Sequence, residues 1–118
     1  MAEQSWVGRG DFYQVVKSIE NGMAYAGITC ELVSKIVREV NEVHIAFLTF
    51  EKFYLRNDSR VSLSVMISEH HEQMTVDAAS SGGGESVLFR FDWGSSKNFI
   101  NSLSQIMSSL GFTSTEFI

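Results

Sequence analysis

His70, His71 and Glu72 stand side by side in this chain, the densest group of potential ligands it contains. Imidazole is a common metal ligand and the side chain that titrates nearest neutral pH. Neighbouring residues on a strand point to opposite faces, so both imidazoles would not reach one ion from regular strand geometry. A third ligand would have to come from His44, Glu69 or Glu72. The spacing of a helical zinc site, two histidines four residues apart, is absent. The triplet reads as the solvated tip of a hairpin, and no metal is expected.

The run Ser80-Ser81-Gly82-Gly83-Gly84 offers a different chemistry. Backbone N–H groups of a glycine-rich loop can cradle phosphate, but such loops lead from a strand into a helix and continue into Lys-Ser/Thr. This run reads as a flexible loop between two strands. It is richer in glycine than a tight turn requires, so a rim that orders on binding stays open. Glu51, Asp77, Glu85 and Asp92 lie in or beside strand-like segments. Two carboxylates with split pKa values would support acid–base catalysis, yet nothing in the spacing brings any two together. Cys30 is the one cysteine, with no histidine near it in sequence. It reads as a small half-buried hydrophobe, and a disulfide within the chain is impossible.

Bulk properties narrow the classes further. At 118 residues, 44% hydrophobic and 19% charged, the chain fits a single domain over residues 1–118 that buries its own core. Its net charge of −5, with nine Lys and Arg scattered singly, opposes phosphate backbones, so no nucleic-acid partner is expected. No apolar run reaches the ~18 residues of a membrane span, and Met1–Trp6 lacks the pattern of a secretory signal. These features make the cytoplasm the expected compartment. Proline is absent, which favours one compact unit over a chain with linkers.

The elements that must position these residues can be read from periodicity. Ser5–Arg9 reads as an edge strand. Asp11 is placed to cap a helix carrying Phe12, Val15, Val16, Ile19 and Met23 on one stripe. Gly27–Asn41 is rich in β-branched residues and reads as a strand, a turn near Val33–Lys35 and a second short strand, with a helix over Cys30–Val40 as the alternative. Ile45-Ala46-Phe47-Leu48 is apolar on both faces and predicts a central strand. Asn57-Asp58-Ser59 reads as a turn. Val61, Leu63, Val65 and Ile67 alternate with Arg60, Ser62, Ser64 and Ser68, the pattern of a half-buried strand. Met74, Val76 and Ala78 continue inward on the next strand, and Val87, Phe89, Phe91 and Trp93 predict another. Gly94-Ser95-Ser96 then opens a helix with Phe99, Ile100, Leu103, Ile106, Met107 and Leu110 on one stripe, stopped by Gly111. The apolar end, Phe117-Ile118, is expected to dock on the body or on a neighbour.

The expected fold is α+β: an antiparallel sheet of five to six strands in β-α-β-β-β-β-β-α order, with both helices on one face. This order is similar to helix-grip and TATA-binding-protein-like architectures, which host many functions. Nine Phe, three Tyr and two Trp exceed the need of one sheet layer. They fit a thick core, a dimer interface or an apolar pocket. Phe47, Phe50, Phe53 and Tyr54 lie close on one strand, where the alternation breaks between Phe50 and Phe53 as if at a bulge.

Asn57–Leu63 (NDSRVSL), Ala79–Gly84 (ASSGGG) and the Phe89–Gly94 stretch resemble an uncharacterised family of short bacterial proteins. That family has a strand segment ending in NRVSLN, a TSGGS loop and an aromatic strand before a final helix. The resemblance covers about residues 22–110 and departs at Ser59-Arg60 and in Gly27–Asn41. It implies strands over Gly27–Asn41 and a bacterial origin, and carries no activity.

The functional expectation is therefore a non-catalytic binding or interaction module, homodimeric, for a small apolar ligand or a protein, needing no cofactor. Its expected site is Phe47, Phe50, Tyr54 and Trp93, with Ser81, Gly82, Gly83 and Gly84 as a mobile rim. An export- or secretion-type chaperone is the alternative, and a small enzyme using sheet-borne carboxylates a further one.

Overall fold

The computed structural model describes residues 2–26, 30–54, 59–82 and 89–115. The chain forms β1 (Ala2–Arg9), α1 (Phe12–Met23), β2 (Glu31–Val40), β3 (Val43–Tyr54), β4 (Ser59–His70), β5 (Gln73–Gly82), α2 (Phe89–Ser109) and β6 (Thr113–Thr115). The strands make one antiparallel sheet in the order β2-β3-β4-β5-β1-β6, and both helices cover the same face. The α+β class and the six-stranded sheet with its two helices are those expected.

Alternation decides which residues meet the helices. Ala46, Leu48 and Phe50 on β3, Val61, Leu63, Val65 and Ile67 on β4, Met74, Val76 and Ala78 on β5, and Trp6 on β1 project to one side and are buried. Against them α1 sets Phe12, Val15, Val16, Ile19 and Met23, and α2 sets Phe99, Ile100, Leu103 and Met107, all buried. Asp11 caps α1, its carboxylate accepting from the Gln14 N–H at 3.1 Å. At the other end of α2, Gly111 takes φ +86°, the left-handed conformation that ends a helix, and Phe112 folds back over Gly8. The β2–β3 and β4–β5 hairpins turn on two residues each, Asn41-Glu42 and His71-Glu72, with positive φ at all four. That is the turn whose twist matches the flanking strands, and it places His71 at a hairpin tip as expected.

Several local expectations are corrected. Ser5–Arg9 is part of an interior strand, flanked by β5 and β6. The described part of Gly27–Asn41 holds one strand, Glu31–Val40, and the irregularity near Val33 is a bulge between Leu32 and Ser34 rather than a turn. Conversely β3 pairs with β4 without a shift from Val43 to Tyr54, so Phe50 and Phe53 simply occupy opposite faces. Phe89, Phe91 and Trp93 belong to the first turns of α2. Phe89 and Trp93 are also four apart, a helical spacing, and the remaining edge of β5 is already taken by β1. Ser80, Ser81 and Gly82 end β5 as paired strand residues instead of opening a loop. The turn expected at Asn57-Asp58 and the Phe117-Ile118 tail lie outside the described residues.

Candidate functional interface

The helices leave the other sheet face open, and the pairing register fixes what it displays. Ile36, Phe47, Met66, Asp77 and Ser5 form one row across five strands. Its first three members are apolar and exposed, at 43%, 39% and 42%. Ile45 and Val43 on β3, and Val40 on β2, extend this apolar region toward the hairpin ends. Beyond it the face carries short hydroxyl side chains, Ser62, Ser64 and Ser68 on β4, Thr49 on β3, Thr75 and Ser81 on β5, together with Ala79 on β5 and the exposed Val7 on β1. Asp77 closes the apolar row, its carboxylate accepting from Ser5 Oγ at 2.5 Å, within the short range of a charge-assisted bond. At one end Glu51 pairs with Arg60 at 3.1 Å, and the Arg60 guanidinium lies 5.7 Å from the Phe53 ring. At the hairpin end an open concavity of about 830 Å³ is lined by Val7, Arg9, Val43, Ser68, His70 and Thr75 among others.

β2 is unusual for an edge. It is ten residues long and contains no proline, and it bears four exposed apolar side chains, Leu32, Val33, Ile36 and Val40. Edge strands are ordinarily short, bulged or charged, because unpaired N–H and C=O groups invite another strand. Lys35, Arg38 and the bulge at Val33 supply part of that protection; the apolar side chains oppose it. On the helix side β2 is underfilled too. Between it and α1 lies a groove of about 460 Å³ lined by Phe12, Tyr13, Val16, Lys17, Lys35 and Val37 among others. One ion pair spans it, Lys35 Nζ to Glu20 at 2.6 Å.

The titratable groups serve the ends of the elements. His44, on the helix side of β3, packs its ring 5.1 Å from Phe12 and 5.7 Å from Tyr13. Its Nδ1 lies 2.7 Å from Glu69 Oε1 and its Nε2 3.6 Å from Glu39. A carboxylate can only accept, so Nδ1 carries the proton toward Glu69. The Glu72 backbone N–H donates to the second Glu69 oxygen at 2.8 Å. That N–H first, and the His44 hydrogen bond second, hold the Glu69 carboxyl below its ordinary range. Lys52 donates to the Ala26 carbonyl beyond α1 at 2.8 Å. Burial pushes the Cys30 thiol up, against the opposing pull of Lys52, which suits an inert structural cysteine. No helix is long and apolar enough to cross a membrane, and no group of three or more His, Cys, Asp or Glu could hold a metal among the described residues.

The expected site residues are therefore divided. Phe47 is on the open face, while Phe50 is 2% exposed in the core on the other. Tyr54 ends β3, Trp93 lies in α2, and Ser81 and Gly82 end β5; Gly83 and Gly84 lie outside the described residues. Glu51 and Asp77 sit on non-adjacent strands and separate rows, each with its own partner. Asp92 lies in α2, and Glu85 lies outside the described residues. Two members of the apolar row, Ile36 and Met66, were not anticipated. Met66 had a readable signal: it is the one apolar residue on the outward face of β4, among Arg60, Ser62, Ser64 and Ser68.

No curated protein and no solved structure matches the chain. A family model does match, over residues 1–111 of 118, nearly the whole length. This chain belongs to DUF6054, a family of unknown function.

Proposed function

We propose that this protein is a non-catalytic interaction module, working as a homodimer, whose partners are polypeptides. The observation that carries the reading is the clustering of exposed apolar side chains. Of the exposed large hydrophobics, Leu32, Val33, Ile36 and Val40 lie on β2, and Phe47 and Met66 share a row with Ile36. Single exposed apolar residues are ordinary, but a contiguous patch with a polar surround marks a contact surface. The two concavities described above are open rather than enclosed, which favours a polypeptide over a small apolar ligand. The separation of Glu51 from Asp77 supports a non-catalytic role. The helix over Cys30–Val40 that would favour an export chaperone is a strand here. A single half-buried cysteine suits a reducing cytoplasmic setting.

The test is photo-crosslinking in cells with benzoylphenylalanine in place of Phe47, and in place of the exposed Gln105 of α2, which lines neither concavity, as control. The reading expects a discrete polypeptide adduct, to this chain or another, that is strong at position 47 and weak at 105. Equal yields at both positions would end it.

A further inference from the structure

We propose that β2 pairs with β2 of a second copy across a two-fold axis at Val37, joining the two sheets edge to edge. This rests on the homodimeric part of the reading above and specifies its geometry. The regular part of β2 runs from Ser34, after the bulge, to Val40, before the Asn41-Glu42 turn, and Val37 is its midpoint. In an antiparallel self-pair about Val37, Lys35 falls opposite the partner copy's residue 39, a glutamate, and Glu39 opposite its residue 35, a lysine. Directly opposite residues share a face. Lys35 reaches Glu20 of α1 and Glu39 faces His44, so both project to the helix side.

Other registers lack this match. An axis at Lys35 sets lysine against lysine, and one at Arg38 sets arginine against arginine. An axis at Ile36 sets Ser34 against arginine and Lys35 against valine, with no opposite charges. Only the axis at Val37 forms two ion pairs and no like-charge pair within the regular stretch. It also places Ile36 beside the aliphatic stem of the second copy's Arg38 on the open face, and Val37 beside its own counterpart at the mouth of the α1–β2 groove. The same edge thus offers backbone groups that no described strand pairs, apolar side chains on both faces and a self-complementary charge pattern; the Arg38 guanidinium, which donates to the Val37 carbonyl at 3.1 Å, would give way to the second strand.

Sedimentation velocity of the full chain across concentration tests this, with far-UV circular dichroism verifying the fold of each variant. The expected species is a dimer of twice 13.2 kDa. Lys35→Glu and Glu39→Lys should each weaken it about tenfold, since each creates two like-charge pairs. The Lys35→Glu/Glu39→Lys double variant should recover to within about threefold of wild type. As a second readout, Val37→Cys in a Cys30→Ser background should form a disulfide-linked dimer on oxidation, and Arg38→Cys should not. A dimer indifferent to both charge reversals but lost with Phe47→Ser would overturn the edge pairing while leaving the interaction module standing. A monomer at every concentration would overturn the pairing and the homodimeric reading together; an adduct to another polypeptide at position 47 would then still uphold the module.

Discussion

Phe50→Ala and Phe47→Ala place one substitution on opposite faces of one strand, and the account requires very different costs. Phe50 is 2% exposed and packs beneath the helices, while Phe47 is 39% exposed on the open face. Truncating a fully buried phenylalanine loses its transfer free energy and leaves a cavity, together about 3–5 kcal/mol. Phe47 leaves no enclosed cavity. Full burial of such a side chain is worth at most ~3 kcal/mol; with the ring partly in water already, about 1 kcal/mol is at stake. The two variants should differ by about 2–4 kcal/mol, a factor of roughly thirty or more in the folding equilibrium. Urea unfolding at low protein concentration, followed by far-UV circular dichroism, gives the comparison. At an m-value of about 1.5 kcal/mol/M the midpoints should separate by at least ~1 M with slopes unchanged. Equal destabilisation would mean that the face bearing Phe47 is as buried as the core, and the argument for an open interface would fail.

Other outcomes follow from particular contacts. Ser80 Oγ is buried with no hydrogen-bond partner among the described residues, so Ser80→Ala should be neutral or stabilise by up to about 1 kcal/mol in thermal unfolding. Gly82 has φ +99°, and an added Cβ would lie 2.6 Å from the Arg60 carbonyl oxygen. Gly82→Ala should therefore cost roughly 1–3 kcal/mol in the same assay. Glu69 has its pKa lowered in the fold by the Glu72 N–H and then by His44. A depressed carboxyl contributes stability above its unfolded pKa and loses it as pH falls through the folded one. Glu69→Gln should thus flatten the acid limb of a stability–pH curve below the ordinary carboxylate range and leave its slope near neutrality unchanged; an unaltered acid limb would refute the assignment.

How much was legible follows from what each pattern encodes. Strict alternation in Val61–Ile67 and the helical stripe from Phe12 to Met23 name their buried faces directly, and every residue in them is buried. Phe89–Trp93 is ambiguous because Phe89, Phe91 and Trp93 alternate with Arg90 and Asp92 like a strand while Phe89 and Trp93 also stand four apart like a helix; topology decides it, by leaving β5 no free edge. The site was harder. Phe47 and Phe50 look equivalent in composition, and only alternation carried through an unbroken register separates them. The apolar row needs Ile36 and Met66 beside Phe47, a coincidence of three strands that no local window contains. The ambiguity of Glu31–Val40 had a physical source as well. It is apolar on both faces like an interior strand, yet it stands at the edge of the sheet.

That mismatch is the centre of the account, and backbone amide hydrogen exchange of β2 at increasing protein concentration tests it most directly. If the edge is completed by a partner strand, alternate amides between Ser34 and Val40 should become protected as concentration rises, while those of the short edge strand β6 stay unchanged. If the outward amides of β2 exchange as fast at high concentration as at low, the edge is free and the account is contradicted.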